Sequence, residues 1–183
     1  AAKPTNASAA TKPTAVPDAP KPKTARAWLV MDDATGKILA GEQIDERLEP
    51  ASLTKVMTAY VIAAELQAGR IQAHDAVKMS VNAWQHGGGA VDGRYSGFEV
   101  NKAADLTEML KGMLVQSSND VAVALAEHVA DTEPAFAALM NDYAKRLGME
   151  NTHFTTSHGL SAEDQYSTAR DLATLGRAFI RDY

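Results

Sequence analysis

Between Ser52 and Ala68 the chain carries apolar residues nearly all round a helical period: Val56, Met57, Ala59, Tyr60, Val61, Ile62, Ala63, Ala64 and Leu66. A helix with no polar face has no side to turn to water, so it must run through the centre of a domain, sheathed by other elements. Gly69 is placed to end it. The rest of the fold has to be built around this rod, and the 183 residues suffice for one domain with its own core.

The flanking elements follow from the same reading. Ala27–Met31 and Lys37–Ala40 form a strand pair joined by the turn Asp33-Ala34-Thr35-Gly36. Residues 70–104 are mixed and loop-rich. Asp105-x-x-Glu108 then opens a helix carrying Leu106, Met109, Leu110, Met113 and Leu114. Residues 117–119 interrupt it, and a second helix runs from Asp120 to Ala130. A third starts near Pro134 and stops at Gly148, and Ser167 caps a last one with Leu172, Leu175 and Phe179. The fold class is α+β, rich in helix. Two strands are too few for a stable sheet, so part of the sheet is unaccounted for by these elements.

Charge divides the chain. Residues 1–25 hold four lysines against one acid and five of the seven prolines, whereas 26–183 carry a net charge of −8. The first segment is expected to be a flexible Pro/Ala/Lys-rich tether, because it cannot bury enough apolar surface to offset its ordering entropy. Its start at Ala1-Ala2, with no apolar h-region, fits a mature exported chain. The overall charge of −5 argues against nucleic acid or an anionic membrane as main partner. With no cysteine there is no thiol nucleophile, disulfide or zinc ribbon. The scattered histidines form no His-Glu-x-x-His, so no metal or other cofactor is expected.

Two short motifs carry chemistry. In Ser52-Leu53-Thr54-Lys55 the serine and lysine lie three apart on one helical face, so the amine can reach the hydroxyl. A serine needs such a base to become a nucleophile. Burial and the positive helix end both disfavour the ammonium form, which tunes Lys55 towards that task. The competing view is that Ser52 is only an N-cap. Against it, a capping box wants Glu or Gln where Lys55 stands, and a cation is electrostatically wrong in a first turn. The second motif, Ser117-Ser118-Asn119, breaks the run between two apolar helices and lets polar side chains face a cleft; capping is again the structural alternative. Ser80-Val81-Asn82 has the same form without bracketing helices and reads as a turn.

Ser-x-x-Lys opening a buried helix, then Ser-x-Asn between helices, is the motif order of penicillin-binding proteins and class A β-lactamases, completed there by Lys-Thr-Gly. Ala51–Ala59 and Leu114–Ala122 resemble the low-molecular-mass penicillin-binding proteins, the serine D-alanyl-D-alanine carboxypeptidases. So do Asn151–Phe154, His158–Leu160 and Ser167–Leu172. The resemblance spans Ala27 to Tyr183. It implies a β-lactamase/DD-peptidase-like helical cluster with part of an antiparallel sheet, residues 26–183 forming the N-terminal part of the catalytic domain. It also implies Ser52 as acylated nucleophile, Lys55 as base, Ser117 as proton relay, Asn119 as a substrate-amide ligand and His158 as an accessory substrate-binding residue.

The implied partners are peptidoglycan stem peptides ending in D-Ala-D-Ala and β-lactam inhibitors, met in the periplasm or on the outer face of the cytoplasmic membrane. No Lys-Thr-Gly occurs in the 183 residues. The expectation is therefore an N-terminal portion, completed by downstream sequence in the same chain or as a second polypeptide. A class A β-lactamase needs Glu followed three residues later by Asn, but Glu163 is followed by Tyr166 and Glu133 by Phe136. His86-Gly87-Gly88-Gly89 hints at an esterase oxyanion loop, yet its partner Gly-x-Ser-x-Gly is missing. The remaining rival is a penicillin-binding or peptidoglycan-sensing module that binds without turnover.

Overall fold

The computed structural model describes residues 22–87 and 95–183. Most of the expected tether, and Gly88-Gly89 of the glycine run, lie outside the described residues. The apolar rod is helix α1 (Thr54–Gln67), and it is central as its composition requires: α3 (Leu106–Gln116), α4 (Asn119–Ala130), α5 (Glu133–Leu147) and α6 (Ala169–Asp182) all pack against it. Met57, Val61 and Ile62 of α1 meet Met109 and Met113 of α3, Leu125 of α4, Phe136 and Met140 of α5 and Leu175 of α6 in one fully buried core. Each such side chain contributes about 1.5–3 kcal/mol through removal from water.

Strands β1 (Trp28–Met31) and β2 (Ile38–Glu42) pair antiparallel, from Trp28 opposite Glu42 to Met31 opposite Ile38, with a register irregularity after Val30. The turn between them closes through Gly36, which donates to the Asp32 carbonyl and sits at φ +73°. A second two-stranded sheet joins β3 (Ala76–Lys78) to β4 (Ala103–Asp105) inside the stretch expected to be loop. These strands are three residues each, with Val77 their one fully buried side chain, and alanine and aspartate carry little strand preference.

Three boundaries correct the sequence reading. Ser80-Val81-Asn82 is not a free turn: the Ser80 hydroxyl accepts from the Ala83 amide at 2.8 Å and caps the short helix α2 (Val81–His86). The last helix is capped by Thr168, whose hydroxyl accepts from Asp171 N, while Ser167 exchanges backbone hydrogen bonds with Leu48. Ser52 does not begin α1; it lies in a 3-10 turn (Ala51–Leu53) just ahead of it. Asp105 does cap α3 as expected, accepting from Thr107 N and Glu108 N, and Gly148 ends α5 in the left-handed region.

Between α5 and α6 the chain forms a loop that doubles back through an antiparallel bridge between His153 and Tyr166, and polar side chains hold this segment. Asp171 Oδ2 accepts from Asn151 N at 2.8 Å and from Thr152 Oγ1 at 2.7 Å. Asn141 on α5 brackets Phe154, its Nδ2 donating to the Phe154 carbonyl and its Oδ1 accepting from the amide, both at 2.8 Å. Asn141→Ala leaves both backbone groups without their partner, at about 1–3 kcal/mol each. A loss of about 2–4 kcal/mol is therefore expected in denaturant unfolding. A loss under about 0.5 kcal/mol would show that Phe154 is held by packing alone.

Candidate active site

The N-terminal ends of α1 and α4 converge on the loop 155–161. Pro50 is buried, and the chain then turns through Ala51, which adopts φ +47°, a conformation rare for a residue with a side chain. That turn presents Ser52, and one helical turn later Lys55 points into the protein with 3% exposure. The caps at Pro50 and Leu53 receive no side-chain hydrogen bond, so Ser52 is not the capping residue that the structural alternative required.

Lys55 is held at two points. Its Nζ donates to Asn119 Oδ1 and to the His158 carbonyl, each at 2.7 Å. Asn119 is the first residue of α4 and is 2% exposed, so the contact joins the starts of two helices. Ser117 ends α3 in the left-handed conformation (φ +59°, ψ +36°), two residues before Asn119. Its hydroxyl oxygen is buried and has no hydrogen-bond partner among the described residues. A left-handed non-glycine residue costs about 1–3 kcal/mol, and an unsatisfied buried hydroxyl about as much again. Two such costs at one residue mark a place shaped for something other than stability. Ser118, by contrast, turns its hydroxyl back to the Gly112 carbonyl.

His158 is buried, and its Nδ1 accepts from the Leu160 amide at 3.0 Å, which leaves Nε2 as the protonated nitrogen. Nε2 lies 3.5 Å from Glu133 Oε1. Burial pushes the imidazole below its ordinary range, with Glu133 pulling it up and Lys55 pushing it down.

Ser52, Asn119, His158, Leu160, Ser161 and Glu49 line a cavity of about 210 Å³. A larger groove of about 580 Å³ along α3 is lined by Ser96, Phe98, Glu108, Lys111 and Val115; its Ser96 hydroxyl donates to Asp120 Oδ2 at 2.6 Å, and its Lys111 pairs with Glu108. Of the five predicted site residues, Lys55 contacts Asn119 and His158, Ser52 lines one cavity with Asn119 and His158, and Ser117 ends the adjoining helix. Glu133 and Ser157, which tie the loop in place, were not legible in the sequence; Thr58 and Gly159 lie inside the quoted stretches Ala51–Ala59 and His158–Leu160, where no role was assigned to them. No group of three or more metal-ligating side chains occurs among the described residues.

The fold is thus a mixed helix-and-sheet one in which Ser52 precedes the buried Lys55 and Ser117-Ser118-Asn119 lies at the junction of α3 and α4 opposite them. Residues 12–183 match the Peptidase_S11 family, D-alanyl-D-alanine carboxypeptidase, and the chain belongs to that family. It is 47% identical over 159 residues to D-alanyl-D-alanine carboxypeptidase DacC of Escherichia coli K12, covering 86% of this chain and 40% of that protein. DacA of the same organism is 42% identical over the same shares. The structure of penicillin binding protein 5 from Haemophilus influenzae superimposes with a TM-score of 0.84 at 40% identity, over 90% of this chain and 47% of that one. The chain spans about 40% of the length of these curated relatives.

Proposed function

We propose that this chain carries the nucleophile half of a serine D-Ala-D-Ala carboxypeptidase that trims peptidoglycan stem peptides outside the cytoplasmic membrane. The observation that carries the reading is the double anchoring of Lys55 Nζ, one turn after Ser52, by Asn119 Oδ1 and the His158 carbonyl. A base fixed in this way is held in one position beside the serine, which is the condition for taking its proton.

In the reaction, Ser52 Oγ forms a bond to the carbonyl carbon of the penultimate D-Ala while its proton passes to Lys55. The Ser52 backbone N–H supplies one donor for the oxyanion. Collapse breaks the carbon–nitrogen bond, and the terminal D-Ala leaves as an amine after receiving a proton through Ser117 Oγ. Asn119 holds the adjoining substrate amide. Water then hydrolyses the ester on Ser52. A β-lactam ring presents the same acyl group and acylates the same oxygen, but the 183 residues hold no Glu-x-x-Asn to speed its release. Among the described residues no helix is long and apolar enough to cross a membrane. The cation for the substrate carboxylate and the second oxyanion donor belong to a Lys-Thr-Gly, which the 183 residues do not contain.

The test is release of free D-alanine by the full-length protein from stem-peptide mimics ending in D-Ala-D-Ala, D-Ala-L-Ala or an amidated D-Ala. Release from the first alone is expected, with the amidated end slower by about a hundredfold or more, because a buried cation then lacks its anion. Equal rates on all three would point to a general esterase. No release, with penicillin still attached at Ser52, would make the protein a sensor.

A further inference from the structure

Lys55 is held in part by a backbone carbonyl, and a carbonyl on a loop is only as well placed as the loop. Four contacts place this one. Glu133, at the first turn of α5, accepts at Oε1 from Ser157 N (2.8 Å) and Ser157 Oγ (2.6 Å). The Ser157 carbonyl in turn accepts from Thr58 Oγ1 on α1 at 2.6 Å. The next residue is His158, whose carbonyl meets Lys55 and whose Nε2 lies 3.5 Å from the same Glu133 oxygen. The carboxylate therefore ties the start of α5 to the loop, and Thr58 ties the same loop residue to α1. The Glu133 side chain is 16% exposed and that of His158 is 6% exposed, so water screens this group of contacts little.

We propose that Glu133 is a positioning residue for acyl transfer: it holds Ser157–His158 so that the His158 carbonyl fixes Lys55 against Ser52. The proposal rests on Lys55 acting as the base. Glu133 touches neither substrate nor the reacting atoms, and its effect reaches them through the loop. A lone packing contact would be replaceable by any side chain of similar size. Here the loop needs an acceptor for two donors on Ser157, and the same oxygen faces the imidazole Nε2.

The charge has its own consequence. His158 serves the loop in its neutral form, because Nδ1 accepts from Leu160 N, and protonating that nitrogen removes the acceptor. Two charged groups bear on the imidazole: Glu133 from α5, which favours its cation, and Lys55 from α1, which opposes it. Glu49 borders the same cavity from the loop before Ser52 and accepts from Ser161 Oγ. Neutral His158 dominates above its ordinary range and is lost as pH falls through its lowered value in the folded protein, so acylation carries an acid limb there. Removing the Glu133 charge while keeping its oxygen lowers that value further and moves the limb to more acidic pH.

The experiment follows acylation by a labelled penicillin across pH in the full-length protein, for wild type, Glu133→Ala and Glu133→Gln, with Ser52→Ala and Lys55→Ala beside them. Glu133→Ala is expected to lower the acylation rate constant about 10- to 100-fold with the encounter constant little changed, as for a misplaced catalytic group. Glu133→Gln is expected to recover most of that rate at pH 8 while its acid limb shifts down by roughly half a unit or more. An alanine variant that acylates like wild type overturns the proposal, and so does a glutamine variant whose pH profile superimposes on wild type. Should the alanine variant fail to fold, the glutamine profile decides. If Ser52→Ala or Lys55→Ala still acylates, the underlying reading of the site fails, whatever Glu133 does.

Discussion

Lys55→Arg is expected to abolish acylation of Ser52 although it preserves the positive charge. If Lys55 were present only as a cation, pairing with Asn119 or attracting an anionic substrate, arginine would serve. If it takes the serine proton, arginine cannot, because a guanidinium keeps its proton near neutral pH. Positioned proton transfer is worth about 10²–10⁴ in rate, so the acylation rate constant should fall by that factor. Geometry works in the same direction. Nζ lies 2.7 Å from both Asn119 Oδ1 and the His158 carbonyl at a residue only 3% exposed, and a longer, planar fork does not fit between two acceptors set for a compact ammonium. The check is stopped-flow acylation with a labelled penicillin, together with peptide mapping of the labelled residue. Acylation within a few-fold of wild type would mean another group takes the proton.

The central position of α1 was legible because a helix without a polar face has one place to go, and Met57, Val61 and Ile62 are indeed fully buried. The α3 cap at Asp105 and the stop at Gly148 were legible for a similar reason: local chemistry decides each one. What was not legible depends on partners far away in sequence. Strand β3 exists because Ala76–Lys78 lies opposite Ala103–Asp105, and nothing in either tripeptide announces a strand. At the start of α6, Ser167 and Thr168 are both good caps, and the choice falls to Thr168 because Ser167 is committed to Leu48 some 120 residues away.

The candidate site divides along the same line. Ser52, Lys55, Ser117 and Asn119 stand in short motifs whose residue types state a chemistry. The strain at Ala51 and Ser117 and the backbone contact of His158 are invisible in residue letters, since they concern dihedral angles and a carbonyl every residue has. Glu133 shows the limit most clearly. In sequence it is one of several acidic residues before a helix, where an acid is favoured by the helix dipole alone. Only the fold brings it to Ser157 and His158.

Gly159→Ala is expected to be among the most damaging single-methyl additions in the protein. Gly159 follows His158 and sits at φ +89°, outside the region residues with a Cβ ordinarily adopt. A Cβ there would lie 1.9 Å from the Ala51 carbonyl oxygen and 2.8 Å from Thr54 Oγ1, so it collides with backbone of the turn that presents Ser52. Backbone cannot swing aside as a flexible side chain can; the loop and the turn must part. Gly148 provides the matched control. It has φ +78° and nothing within 4 Å of its notional Cβ, so Gly148→Ala carries the dihedral cost without the collision. The control should lose about 1–2 kcal/mol of stability, from backbone strain alone. Gly159→Ala should lose about 3 kcal/mol or more, since overpacking a tight site adds its own cost. The collision also displaces the His158 carbonyl from Lys55, so acylation of the still-folded fraction should fall at least tenfold, while the Gly148 variant acylates normally. Denaturant unfolding gives the first comparison and penicillin labelling the second. Equal stability losses in the two variants would show that the loop yields without strain, and its close approach to Ala51 would then have no part in holding the site.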